Sequence, residues 1–244
     1  MRVVRWPYMK NQVAKKKKFA VFDIDGTIFR SSLLIELVEE LIHAGVFPKT
    51  ARVVYDRAER RWLDRKDGYD KYILAVIRAF DRHLRGMHER DFLRVVRHVV
   101  RVHRHRVYRY TRDLVRKLRR KGYYLLAISH SPKYIVGPFG KQMGFHKVYG
   151  MLFEVDERTK RFTGKRLHTE TILNKATVLR RAMEKEGLTL RGSVGVGDTE
   201  SDIPFLKLVE RPVCFNPNRM LYRAARRNGW KVVVERKDMV YHVG

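Results

Sequence analysis

The chain reads as an α/β protein, a parallel sheet with helices on both faces, interrupted by an inserted all-helical cap. Three observations predict this. Short apolar runs at Phe19–Phe22, Tyr123–Ile128, Ser193–Val196, Val213–Phe215 and Val232–Val234 have the length and bounding turn residues of buried strands. Between the later runs, apolar residues recur at helical spacing, and strands alternating with helices imply parallel pairing. Residues 33–106 show helical spacing only, with no strand signal as clear as those flanking them.

Taken in order, Met1–Lys18 carries Arg2, Arg5, Lys10 and Lys15–Lys18 without an acid or the apolar segment of a secretory signal. It reads as a solvated basic arm, residues 1–18. The first strand follows and runs into Asp23-Ile24-Asp25-Gly26-Thr27. Leu33, Leu34, Leu37, Val38, Leu41 and Ile42 then mark a helix stopped by Gly45. Val53–Leu63, Tyr72–Phe80 and Phe92–Val100 supply three more, the last three helices separated by Gly68 and Gly86. The core resumes with a helix through Leu114 and Leu118 to Gly122 and the strand closed by Ser129-His130-Ser131-Pro132. A helix toward Gly144 and a β-hairpin over Met151–Thr163 follow, then a helix over Leu173–Glu186. The strand at Ser193–Val196 ends in Gly197-Asp198; helices over Ile203–Leu208 and Asn218–Asn228 flank the strand Val213–Phe215. The expected organisation is therefore a core of 19–32 and 107–244 with a cap of 33–106.

Composition sets bounds. With 44% hydrophobic residues in 244, the chain can bury a real core. Its 54 Lys and Arg against 26 Asp and Glu leave a net charge of +28. Such an excess attracts polyanions, whether nucleic acid, anionic lipid or phosphorylated metabolites. One cysteine, Cys214, excludes an internal disulfide and fits a reducing interior, so a cytoplasmic protein is expected. No apolar run approaches the length that crosses a bilayer.

The acids at strand ends carry the chemistry. Side-chain alternation turns Asp23 and Asp25 toward one crevice at the carboxyl edge of the sheet. Carboxylates so close repel unless a cation lies between them or one holds a proton. Gly195-Val196-Gly197-Asp198 with Asp202 four residues on repeats the strand-then-acid arrangement. Hard carboxylate oxygens suit Mg²⁺, which uses few protein ligands. A dinucleotide fingerprint fails at Glu200, where the third glycine is needed, and no Walker-type loop occurs.

Phe22-Asp23-Ile24-Asp25-Gly26-Thr27 resembles the first signature of the haloacid-dehalogenase-like (HAD) hydrolases, and Gly197-Asp198 with Asp202 resembles the fourth. The apolar strand closed by Ser129 is similar to the second, and Asn174-Lys175-Ala176 supplies a lysine for the third, with Lys165 the runner-up. Motif order and the insertion between the first two resemble the phosphoserine-phosphatase-like subgroup (subfamily IB), which implies a Rossmann-like core and a helical cap.

The resemblance implies that Asp23 is the nucleophile and Asp25 the general acid/base. Phosphate-binding groups are then Ser129, Lys175, Gly26, Thr27 and His130. The implied metal site is Asp23, the backbone carbonyl of Asp25, Asp198 and Asp202, the last direct or through water. The activity implied is Mg²⁺-dependent hydrolysis of a small phosphate monoester through an aspartyl-phosphate. Phosphoryl transfer to another acceptor, or a nucleic-acid or anionic-membrane binding role for the basic surface, are the alternatives. At the place where phosphoserine phosphatases hold the substrate ammonium with Glu, this chain has Ser31 and Ser32; Glu36 is the next acid. His98, His103 and His105, and the Arg-rich stretch Arg101–Arg112 with Tyr108 and Tyr110, read as charged helix faces rather than a metal or nucleic-acid site.

Overall fold

A computed structural model describes residues 16–243. Its centre is an eight-stranded sheet, β1 (Lys17–Phe22), β2 (Tyr124–Pro132), β3 (Lys147–Val155), β4 (Phe162–Leu167), β5 (Leu188–Gly197), β6 (Arg211–Phe215), β7 (Lys231–Arg236) and β8 (Met239–Val243), in the order β4-β3-β2-β1-β5-β6-β7-β8. β1 pairs in parallel with β2 (Phe22 beside Ala127) and with β5 (Phe22 beside Val196), so the chain stretches after three strands emerge side by side. Only the outer pairs, β3–β4 and β7–β8, are antiparallel. Phe19, Ala20, Val21 and Phe22 are all fully buried, as a central strand covered on both faces demands.

The helices are α1 (Leu33–His43), α2 (Val53–Leu63), α3 (Tyr69–Leu84), α4 (Glu89–His103), α5 (Arg109–Arg120), α6 (Lys133–Met143), α7 (Thr169–Leu173), α8 (Lys175–Glu186), α9 (Ile203–Leu206) and α10 (Arg219–Asn228). Local chemistry starts several of them. The Ser32 hydroxyl accepts from the Leu34 amide, and the Asn174 side chain accepts from the amides of Ala176 and Thr177. α5 and α10 are strongly amphipathic, burying Val115 and Leu118, and Leu221 and Ala225, beneath Arg-rich outer faces.

The first four helices form the insertion between β1 and α5. Its two passages to the sheet run alongside each other: Arg30 donates its amide to Arg106, Tyr108 donates to Ile28, and Phe29 bridges Val107. A second attachment is the β3–β4 hairpin. Gly86 donates to Phe162, Phe162 donates to Met87, and Glu89 donates to Lys160. Aromatic rings seal that junction, with Phe92 at 5.0 Å from Phe162 and 5.5 Å from Tyr134, and Phe80 at 5.5 Å from Phe153, in edge-on contacts.

Several boundaries differ from the sequence reading. β1 starts two residues before its apolar run, because Lys17 pairs with Leu188. β5 likewise extends back to Leu188. β8 is an exposed edge strand behind a tight turn at Lys237 (φ 54°), and its short run offers little periodicity. Of the basic arm, residues 1–15 lie outside the described residues. No helix among the described residues is long and apolar enough to cross a membrane.

Candidate active site

The acids foreseen at strand ends meet. One carboxylate oxygen from each of Asp23, Asp198 and Asp202 lies within 4.8 Å of the others. Asp23 follows β1 directly and donates its amide to the Val196 carbonyl, which ties the first acid loop to the strand leading into Asp198. Lys175, only 2% exposed at the start of α8, inserts its ammonium between two of the acids, 2.5 Å from Asp23 Oδ1 and 2.6 Å from Asp202 Oδ1. Asp202 Oδ2 accepts from the amides of Asp198 (2.9 Å) and Thr199 (3.1 Å), a capping arrangement that fixes the turn.

Asp25 sits differently. Its Oδ1 accepts from the Leu33 amide at 2.6 Å and its Oδ2 from the Ser129 hydroxyl at 2.7 Å. The side chain is thereby turned from the three-acid cluster toward the first turn of α1, which leaves its backbone carbonyl as the atom expected at a metal. Ser129 was expected to hold a phosphoryl oxygen; in this structure its hydroxyl donates to Asp25 and accepts from the Ser131 amide. Thr27, expected beside phosphate, donates its hydroxyl to Asp198 Oδ1 at 3.0 Å. Gly26, at φ 80°, lies against the Asp198 carboxylate so closely that a Cβ would overlap it. His130 is mostly buried, and its Nε2 has no hydrogen-bond partner.

The electrostatics follow from burial. Desolvation pushes the Asp23 carboxyl up to about 7, against the pull of Lys175 and with repulsion from Asp202 and Asp25. Asp198 is raised well above the ordinary range by burial, Asp23 and Asp202, and Asp25 is raised by burial. For Lys175 burial works against the charge, yet Asp202 and Asp23 outweigh it and hold the ammonium protonated. Burial and nearby Lys175 lower His130 to about 4, so the ring is neutral at pH 7.

Three carboxylates against one ammonium leave a charge of about −2 on the cluster when all are ionised. A divalent cation cancels that charge, and converging all-oxygen donors match its preference. Asp23, Asp198 and Asp202 therefore fit a divalent metal.

Other candidates lie elsewhere. Lys165, the runner-up lysine, pairs with Glu154 at 3.2 Å on the surface. His98 and His103 face Glu40 (3.7 Å) and Glu36 (3.5 Å) separately, and His105 bonds Arg104. Tyr108 and Tyr110 pack on Phe215, with centroids 4.9 and 5.7 Å away. Two contributors went unforeseen. Ser131, which shares a strand face with Ser129, also hydrogen-bonds Asp25, and the i, i+2 spacing could have signalled it. Tyr69, at the start of α3, hydrogen-bonds with Ser32, and its hydroxyl is raised by burial and then by Asp25 and Asp198. No local sequence signal places it there, since it arrives from the insertion.

Comparison with known proteins agrees with this geometry. The family model "haloacid dehalogenase-like hydrolase" matches residues 20–207. A histidinol-phosphatase of Neisseria meningitidis is 24% identical over 229 residues, 89% of this chain and 98% of that protein. A Bordetella pertussis protein of unknown function has a similar structure, TM-score 0.71 at 21% identity, covering 89% of this chain and 98% of that one. A phosphoserine phosphatase solved as a phospho-aspartyl intermediate analogue superposes with TM-score 0.60 at 18% identity, covering 92% and 96%. The chain belongs to the haloacid dehalogenase-like hydrolase family.

Proposed function

We propose that the protein is a Mg²⁺-dependent phosphatase acting on a small phosphate monoester. The observation that carries this is the convergence of Asp23, Asp198 and Asp202 around Lys175, with Asp25 held separately beside them. Family membership and the phosphatases among its relatives support the reading.

The chain's own groups divide the work. Lys175 occupies Asp23 Oδ1, so the other oxygen is the one that attacks phosphorus, forming an Asp23–phosphorus bond as the bond to the leaving oxygen breaks. Asp25 delivers its proton to that oxygen; burial raises its affinity for the proton, and Leu33 and Ser129 fix its direction. Asp25 then takes a proton from water, whose oxygen attacks phosphorus. The Asp23–phosphorus bond breaks, and inorganic phosphate leaves. Lys175 and the amides near Gly26 and His130 hold the phosphoryl oxygens, while Ser129 stays committed to Asp25. When bound by Asp23, the Asp25 carbonyl, Asp198 and Asp202, Mg²⁺ supplies charge neutralisation on those oxygens. Phosphate ester hydrolysis needs such cooperation, since enzymatic accelerations approach ~10²¹.

Residues 33–106 act as a cap that excludes water and selects the leaving group. Glu36, the first acid after Ser31 and Ser32, is spent on Arg106 at 2.7 Å and on His103 rather than held free for an ammonium-bearing leaving group. The buried single cysteine fits a reducing, cytoplasmic setting.

The test is Asp23→Asn assayed with p-nitrophenyl phosphate and Mg²⁺. Turnover is expected to fall by ~10⁴-fold or more, with the circular dichroism spectrum unchanged. Retained turnover in a folded variant overturns the assignment.

A further inference from the structure

A second cleft opens at the other edge of the sheet. Its walls are the outer half of α5, the starts of β6 and β7, and the turn after α9, with Val194 of β5 at its floor. Parallel strands deliver Asp23, Ser129 and Asp198 at their carboxyl ends; this cleft lies on the opposite side, at the amino-terminal ends of β6 and β7 beside Tyr123. Its volume is about 730 Å³, within the roughly 300–1,000 Å³ usual for small-molecule sites.

Two kinds of group face into it. Lys117, Lys121, Lys207, Arg211 and Lys231 supply five cations. None of the four lysines forms an ion pair among the described residues, and all four are exposed. The one acid, Glu210, is committed to the Gly192 amide at 2.7 Å. Arg211 is fixed in place: its guanidinium donates to the Tyr123 hydroxyl (2.6 Å) and the Gly192 carbonyl (2.9 Å) and lies over the Tyr123 ring. The second kind is aromatic. Trp230, half-buried between α10 and β7, lines the same space with Tyr110 and Leu114. On the insertion, by contrast, several cations are paired with acids, as in Arg52 with Glu39 and Glu59, and Arg61 and Lys71 with Asp67. Here five cations face a single carboxylate, Glu210, in a concavity with an aromatic wall.

We propose that this cleft binds a nucleoside polyphosphate, its base against Trp230 and its phosphates among Lys121, Lys207, Arg211 and Lys231. The cation count favours several phosphates over one, because each exposed ion pair contributes little by itself. The volume of about 730 Å³ matches a mononucleotide rather than a strand. Stacking on an indole is available to any base.

The test uses the full chain with Trp6→Phe and Trp62→Phe, so that Trp230 alone fluoresces. EDTA is present, and the probe is a methylene-bridged ATP analogue that resists hydrolysis. Saturable quenching is expected, weakened at least about tenfold in Lys121→Glu/Lys231→Glu, whose exposed positions leave folding and p-nitrophenyl phosphate turnover unchanged. Tripolyphosphate is expected to bind more weakly than the nucleotide analogue. Absence of saturable quenching, an unchanged affinity after charge reversal, or equal binding of tripolyphosphate each overturns the proposal. Tighter binding of a single-stranded 20-mer than of the mononucleotide also overturns it, in favour of a nucleic-acid groove.

Discussion

Replacing Lys175 with Met removes the one positive charge inside the acid cluster while keeping the length of the side chain. The ammonium makes two charge-assisted contacts, at 2.5 and 2.6 Å, and is 2% exposed. Truncating one partner of a buried pair costs about 3–5 kcal/mol, because the remaining charge is stranded. Here two carboxylates are stranded, so the loss at pH 8 without metal is expected at or above the upper end of that range. It should shrink on acidification. Asp23 already titrates near 7 in the fold, raised by burial, and losing Lys175 raises it further. A folded-state pKa above the unfolded one means that the native state binds more protons, so stability returns as pH falls through the folded value. Urea denaturation of Lys175→Met and wild type at pH 8 and pH 5 measures the difference directly. A destabilisation that is equal at both pH values, or below about 1 kcal/mol at pH 8, refutes the view that Lys175 compensates ionised acids.

The same sign applies to the metal-free wild type. Between pH 8 and pH 5 its thermal midpoint should rise as Asp23 takes up a proton, and millimolar Mg²⁺ at pH 8 should raise it without acid. EDTA should abolish phosphate ester turnover, and excess Mg²⁺ should restore it. Gly26→Ala puts a methyl group into the Asp198 carboxylate at a φ of 80°, so activity should fall steeply, with about 1–3 kcal/mol lost in denaturant melts. Phe92→Ala empties a fully buried ring site between the insertion and the hairpin and should cost about 3–5 kcal/mol while leaving the acid cluster intact.

Asp23 and Asp198 were legible because each closes a buried strand with a glycine at hand, Gly26 after the first pair of acids and Gly197 before the second. Asp23 and Asp198 need nothing further to reach the same edge once β1 and β5 are neighbours. Lys175 was legible only through the resemblance of Asn174-Lys175-Ala176 to the third motif, which left Lys165 open beside it, because one lysine at a helix start is no signal in a chain so rich in Lys and Arg. The partners of Ser129 and Thr27 were not, since a hydroxyl beside an acid bonds whichever group packing brings nearest. Tyr69 and the ring contacts of the hairpin depend on how the insertion settles on the core. That is a long-range outcome, and helical periodicity has no means of encoding it.

The double attachment of the insertion also bears on how the chain can be dissected. A cut at residues 33 and 106, bridged by a linker, removes only one side of an aromatic joint. Phe153, Phe162 and Tyr134 would be left facing water, and the amide of Phe162 would lose its acceptor. The piece that can be lifted out or exchanged with a relative is therefore discontinuous, four helices ending at His103 together with a hairpin that begins only at Lys147.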